Sequence, residues 1–371
     1  MTDIQQFNEC FKLKGGHFNC QSTVIPEVLE SLLNSCRNDL ISIQKDRPEL
    51  PEVYLDFIDN TSLNACVSKM NGRYFIGLNI GTYILLSDLF FRMLSSKNIL
   101  TEYGDISKEN DALKLINAQI TDINILFLSK DPDEKIAPKC EIRYHLAHLL
   151  TIFAIKFLVI HEYGHIIFGH LDYQNIKTKN CYWNEISYEE NEEKLDPLIS
   201  QTLEMDADCY GVNKGIEMLI HYSENNNGLI DELKYFLSPL ESSLSLWLFS
   251  IYSMFRLFGF KNKDISKLKT SFHPLTGIRQ HIVFITAHTI FQNNQYKELL
   301  SKIPELEVST IKSVEKAFEE ISMQEYDIEA IKIAFKKESQ EHILLLLRNW
   351  NKVRPELEKF ATGKLAPLFV E

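Results

Sequence analysis

Residues 157–170 read FLVIHEYGHIIFGH: two histidines, His161 and His165, four positions apart in an apolar run, with Glu162 directly after the first. Such a run is ordinarily plain core helix, so three ionisable groups inside it need a purpose. One helical turn separates the histidines, which puts both imidazoles on one face, able to converge on a single ion. Glu162 falls beside that face, where its carboxylate can hold a water without being a ligand. This is the metalloprotease arrangement, although HExxH by itself also arises by chance.

A catalytic zinc requires a third protein ligand and an open position for water. The extended HExxHxxGxxH pattern is ruled out, because Phe168 and Leu171 stand where it needs glycine and histidine. His170 is one residue out of register, nearly opposite the ligand face, and is expected at the helix end. A later helix offers a carboxylate instead. In LEMDADCYG (203–211), Glu204 and Asp208 are four apart, on a helix begun by the N-cap and N1 pair Asp196-Pro197. Glu204 is the expected third ligand, and Asp208 the acceptor for the free ring N–H of a ligand histidine. A solvated acidic face is the plainer alternative. Against it stand Leu203, Met205, Ala207 and Val212, which read as a buried helix where unpaired carboxylates are costly.

A third stretch, SFHPLTGIRQHI (271–282), sets His273 and Arg279 around a proline-initiated helix start. These two could steady the oxyanion of a tetrahedral intermediate or grip a peptide carbonyl. They could equally be an ordinary helix cap and a surface arginine, and the residues alone leave this open.

The rest of the chain bounds these readings. Its 371 residues are enough for a full core, with 45% hydrophobic and 24% charged residues typical of a soluble globular protein. A formal net charge of -12 argues against a nucleic-acid partner, which demands clustered Lys and Arg. The seven cysteines are scattered without CxxC spacing and read as reduced thiols of a cytoplasmic protein. MTDIQQFNEC lacks the basic and apolar regions of a secretory signal. His145–Ile160, interrupted by Lys156, and Leu244–Phe260, carrying Arg256, are expected as buried helices and not as membrane spans.

Pro26 to about Leu40 reads as an amphipathic helix. VYLDFI (53–58) reads as a strand, and LNACVSK and RYFIGLN as a hairpin around Asn71-Gly72. Helical spacing returns at 80–95, Glu141–Phe168 forms a long helix ended at Gly169, and 172–195 reads as an acidic, loop-like flap. Helices follow from Asp196-Pro197, Ser238-Pro239 and His273-Pro274, and again over Val314–Ile321 and Ile328–Trp350. The expected class is α+β, predominantly helical, with a small N-terminal mixed sheet. The expected division is a strand or loop and helix extension over 1–49, a metallopeptidase domain over 50–294 with insertions at 99–140 and 172–195, and a helical region over 295–371.

Taken together, HEYGH, EMDAD and HPLTGIR resemble the HExxH…ExxAD…HPxxxxR set of the gluzincin metallopeptidases, the family that includes the HtpX heat-shock protease and the CAAX prenyl proteases. SLNACVSKMNGRYFIGLNIGTYILL is similar to the edge-strand and hairpin segment that precedes the catalytic helix there, so the resemblance covers roughly residues 50 to 290. Those relatives are mostly membrane-embedded, which turns the comparison toward soluble ones, above all the Lit phage-exclusion peptidase family. The resemblance implies a zincin-like fold, one zinc ion per chain, and a cytoplasmic bacterial endopeptidase that cuts a protein substrate during phage infection. It makes His161, His165 and Glu204 the ligands, Glu162 the general base and Asp208 an outer partner. His273 and Arg279 become transition-state or substrate contacts, and Asn64 and Ala65 the edge along which an extended peptide pairs. Two other readings compete: a regulatory or scaffold protein that keeps the core with a structural zinc, and a latent protease whose cleft is blocked by 172–195 or the C-terminal helices. Oligomeric state, substrate and cleavage site are not given by the sequence.

Overall fold

A computed structural model of the chain describes residues 1–45, 47–110, 136–185, 194–225, 231–258, 265–293, 295–321 and 332–370. Its elements are α1 (Asp3–Cys10), α2 (Pro26–Lys45), β1 (Val53–Ile58), β2 (Ala65–Met70), β3 (Arg73–Asn79), α3 (Ile80–Leu94), α4 (Glu141–Ile167), α5 (His170–Thr178) and β4 (Tyr182–Asn184). They continue as α6 (Pro197–Glu224), α7 (Asp231–Leu237), α8 (Leu240–Phe258), α9 (Thr276–Gln292), α10 (Ile303–Ile321) and α11 (Lys337–Leu357). The class is predominantly helical α+β with a small mixed sheet.

The sheet runs β1-β3-β2-β4, with β1 parallel to β3 and both β3 and β4 antiparallel to β2. Asn71 and Gly72 both take positive φ (52° and 78°), the geometry that closes a two-residue hairpin with the right-handed twist of its strands. Alternation assigns the faces. Ala65, Val67, Ile76 and Leu78 join the main core, whereas Cys66, Ile58 and Phe75 pack with Phe7 and Phe11 near α1 on the other side.

α4 is the axis of the molecule. It is apolar nearly all round because α3, α6, α8 and the sheet each cover a side. By length and composition it could cross a membrane, but 78% of its most apolar window is buried inside the protein. Lys156, which interrupts the run, reaches Asp39 at 2.8 Å. At its start, the fully buried Arg143 donates to the carbonyls of Leu94, Ser96, Ile99, Leu100 and Tyr103, tying α4 to the chain leaving α3. At its end, Phe168 is the C-cap and Gly169 turns left-handed (φ 75°), so the helix stops where the glycine allows it. The backbone N–H groups of Thr362 and Gly363 then donate to the Ile167 carbonyl, so the C-terminal tail closes the end of the site helix.

The 172–195 stretch is not simply a loop. α5 and β4 lie within it, and β4 adds a fourth strand; residues 186–193 lie outside the described set. The 111–135 part of the expected 99–140 insertion also lies outside it, as does the start of the helix expected from Ile328, where α11 is described from Lys337. The main apolar cluster draws on residues from Cys20 to Leu365, crossing all three segments of the expected division.

α4 and α6 meet over small residues. A Cβ on Gly164 would sit 3.5 Å from the Ala207 Cα, and one on Gly211 only 2.8 Å from Phe157 Cε2. This close approach brings the carboxylates of α6 to the histidines of α4. Gly211→Leu is therefore expected to cost about 1–3 kcal/mol through overpacking and to weaken metal retention as well. Thermal melts and a zinc titration of the purified variant check both effects.

Candidate metal centre

Four segments meet at one buried volume. α4 supplies His161, Glu162 and His165, and α6 supplies Glu204 and Asp208. Arg279 lies on the first turn of α9 with His273 just before it, while Trp183 and Glu185 come from β4 and the residue after it. His161, Glu162, His165, Glu204 and Asp208 have no solvent exposure.

The two histidines face each other with their Nε2 atoms 3.0 Å apart. Glu204 Oε2 lies 3.4 Å from His161 Nε2, and its Oε1 lies 3.6 Å from His165 Nε2. Ligands bound at zinc distances of about 2.0–2.1 Å in a tetrahedron stand about 3.3 Å from one another. The three side chains thus converge as an ion would require, and this buried cluster could hold a metal ion. Glu162, Glu185, Glu204 and Asp208 gather four buried carboxyl groups around the two histidines and the buried guanidinium of Arg279. Among the described residues, both oxygens of Glu162, Oε2 of Glu204 and Oε2 of Glu185 have no hydrogen-bond partner, a costly state for buried carboxyl groups that a cation would relieve.

The outer nitrogens of both histidines are met by other side chains. Asp208 Oδ1 lies 2.9 Å from His161 Nδ1, and Arg279 donates to Asp208 through Nε (2.8 Å) and Nη2 (2.7 Å) in a bidentate fork. His165 Nδ1 lies 3.0 Å from His170 Nδ1, and His170 Nε2 lies 3.3 Å from Asp206 Oδ2. Such partners fix the tautomer and ring orientation of a ligand histidine. Trp183 stacks on His165, with centroids 4.4 Å apart, and donates its indole N–H to Glu204 Oε1 at 2.8 Å.

Electrostatics follow from this packing. Burial pushes the Glu162 carboxyl well above the usual range. Burial also pushes His165 well below its ordinary value, and the neighbouring His161, His170 and His273 add to that although Glu204 opposes it. For His161 burial disfavours the charged form, yet Glu185, Asp208 and Glu204 outweigh it and hold its pKa well above normal. Burial would raise the pKa of Glu204, but His273, His161 and His165 bring it well below the usual range.

The structure brings seven of the nine expected residues into contact around the site: His161, Glu162, His165, Glu204, Asp208, His273 and Arg279. His273 Nδ1 is 3.3 Å from Glu204 Oε2. Arg279 is neither a surface arginine nor directed at an open cleft, since its guanidinium grips Asp208 and also donates to Glu185. The other two, Asn64 and Ala65, do not border open solvent. The Asn64 backbone N–H and C=O are both bonded to the Thr82 hydroxyl, and the Ala65 carbonyl accepts from the Glu185 N–H at 3.0 Å.

Three contributors are absent from the expected set. His170 reaches His165 because the chain reverses at Gly169, whereas the register argument follows a straight helix. Glu185 and Trp183 sit in a stretch whose acidic composition reads as loop; the aromatic pair Tyr182-Trp183 is its one strand-like signal. No protein-family model matches the chain, and no curated protein or solved structure matches it significantly.

Asp208 lies against His161 and outside the three-residue cluster that could hold an ion, so if zinc binds there Asp208→Asn is expected to keep one site per chain and weaken affinity about 10- to 100-fold. Competition against a chromogenic chelator measures it. Unchanged affinity would mean that the Arg279–Asp208 pair serves packing alone.

Proposed function

We propose that the chain is a zinc-dependent endopeptidase with a zincin-like arrangement, acting on a protein or peptide substrate. The observation that carries this reading is Glu162: fully buried, both oxygens without a hydrogen-bond partner among the described residues, on the same helix turn as two histidines that converge with Glu204. A carboxylate kept unpaired at that position has no structural use that the packing reveals.

His161, His165 and Glu204 would hold the ion, which when bound acidifies water toward neutral pH and polarises a scissile carbonyl. Glu162 takes the proton of the attacking water and delivers it to the leaving amine. Asp208 Oδ1, 2.9 Å from His161 Nδ1, is the group that would take that nitrogen's proton and leave Nε2 free for the ion, and Arg279 holds Asp208 in place. His273, partly exposed beside Glu204, is the group best placed to meet a substrate carbonyl. The resemblance to gluzincins, and to the Lit phage-exclusion peptidases among them, supports a cytoplasmic setting and a role in antiviral defence.

A second reading, a regulatory protein with a structural zinc closed by protein ligands, draws on Glu185, whose Oε2 lies 3.2 Å from His161 Nε2. The two readings part at Glu162. In the peptidase, Glu162→Gln retains one zinc per chain and lowers peptide hydrolysis by about 10²- to 10⁴-fold. Comparison of new protein N-termini in cells expressing wild type or Glu162→Gln provides the assay. Identical N-termini in the two, with zinc bound in both, would count for the regulatory reading.

A further inference from the structure

The peptide-binding edge of the sheet is already taken. β2 would be the outer strand of the β1–β3–β2 hairpin sheet, beside α4 and in line with an extended substrate, but β4 lies antiparallel along it. Cys66 faces Asn184, Val67 faces Trp183 and Ser68 faces Tyr182, and the ladder continues where the Glu185 N–H meets the Ala65 carbonyl. This is the pairing by which a peptide adds to a sheet edge.

The side chains of the same segment fill the site. Glu185 puts Oε2 3.2 Å from His161 Nε2, and it forms a second potential ligand group with His161 and Glu162. Its carboxylate thus lies against the histidine nitrogen that faces the ion position and within 4.8 Å of the Glu162 carboxylate, in the space an attacking water would need. Trp183 covers His165 and engages Glu204. Arg279 donates to Glu185 and holds it there. The crevice that remains beside Glu204 and His273 has a volume of about 40 Å³, room for a water or so and not for a peptide. Three paired residues make a short strand, the kind held by few bonds and opened locally.

The geometry points to an inhibitory strand built into the chain: Tyr182–Glu185 occupies the peptide edge along Ala65–Ser68, Glu185 occupies the water position, and cleavage requires the strand to leave. This rests on the zinc peptidase reading for the identity of the site. The substrate class follows, since what replaces the strand must be an extended segment able to pair antiparallel with β2.

Two variants of the full zinc-loaded chain test it, with acetohydroxamic acid as the probe for an accessible metal. Glu185→Ala is expected to bind the probe at least about tenfold more tightly than wild type by calorimetry, the factor for a site open in about a tenth of molecules. The visible spectrum of the cobalt-substituted protein should change with it. Asn184→Cys provides a lock, because Ala65–Glu185 is a hydrogen-bonded pair and its neighbour Cys66–Asn184 is then the closer, non-hydrogen-bonded kind, about 4.5 Å between Cα atoms and within disulfide reach. Oxidised, this variant is expected to lose probe binding and peptide cleavage, and reduction should restore both.

Equal probe affinity in wild type and Glu185→Ala overturns the proposal, as does an oxidised lock that binds and cuts like the reduced form. Failure of the disulfide to form, by thiol titration, overturns the strand pairing on which it rests. Gain of probe binding in Glu185→Ala without cleavage of any peptide leaves the strand in place and removes the peptidase reading instead.

Discussion

Charge that is buried must be balanced where it is buried, and this constraint organises the centre of the molecule. α4 and α6 come together over Gly164, Ala207 and Gly211, and that contact takes His161, Glu162, His165, Glu204 and Asp208 out of water together. None of these groups is tolerable there alone. Arg279 answers Asp208 and part of Glu185, His161 and His273 lie against Glu204, and among the described residues neither oxygen of Glu162 has a hydrogen-bond partner. A metal ion, which His161, His165 and Glu204 could hold, would answer the oxygens left without partners. The rest of the fold serves to hold the two helices in this register.

Much of that support comes from parts of the chain outside the three motifs. The tail at Thr362–Gly363 takes the last carbonyl of α4, and α11 lies along α6, where Asn349 donates to the Thr202 hydroxyl and His342 meets Gln201. Arg143 satisfies five carbonyls near the other end of α4. Such contacts fix the positions of α4 and α6 without approaching the candidate metal centre, so changes at these places can alter the site with no change to its residues.

What was legible in the sequence is what has local spacing. The helix period places His161 over His165 and Glu204 over Asp208, Asn71-Gly72 announces its hairpin, and Asp196-Pro197 announces α6, where the Asp196 side chain does accept from the Leu198 N–H. Contributions that depend on the path of the chain were not legible. His170 joins His165 only because Gly169 reverses the backbone, and Glu185 enters the site only because three residues of an acidic stretch find β2. Arg279 reads from sequence as an oxyanion or substrate contact or as a surface arginine, and its grip on Asp208 and Glu185 is neither, because both carboxylates come from distant parts of the chain. Composition marked 172–195 as polar, but polarity does not say whether a carboxylate faces solvent or a cation.

The account stands or falls on a single ion held by α4 and α6. Zinc-edge anomalous diffraction from crystals of the full chain grown with one equivalent of zinc locates it directly. One peak is expected, about 2.0–2.1 Å from His161 Nε2 and His165 Nε2 and about 2.0–2.2 Å from a Glu204 oxygen. A peak on other residues, or none while the two histidine nitrogens remain in contact, would contradict the account.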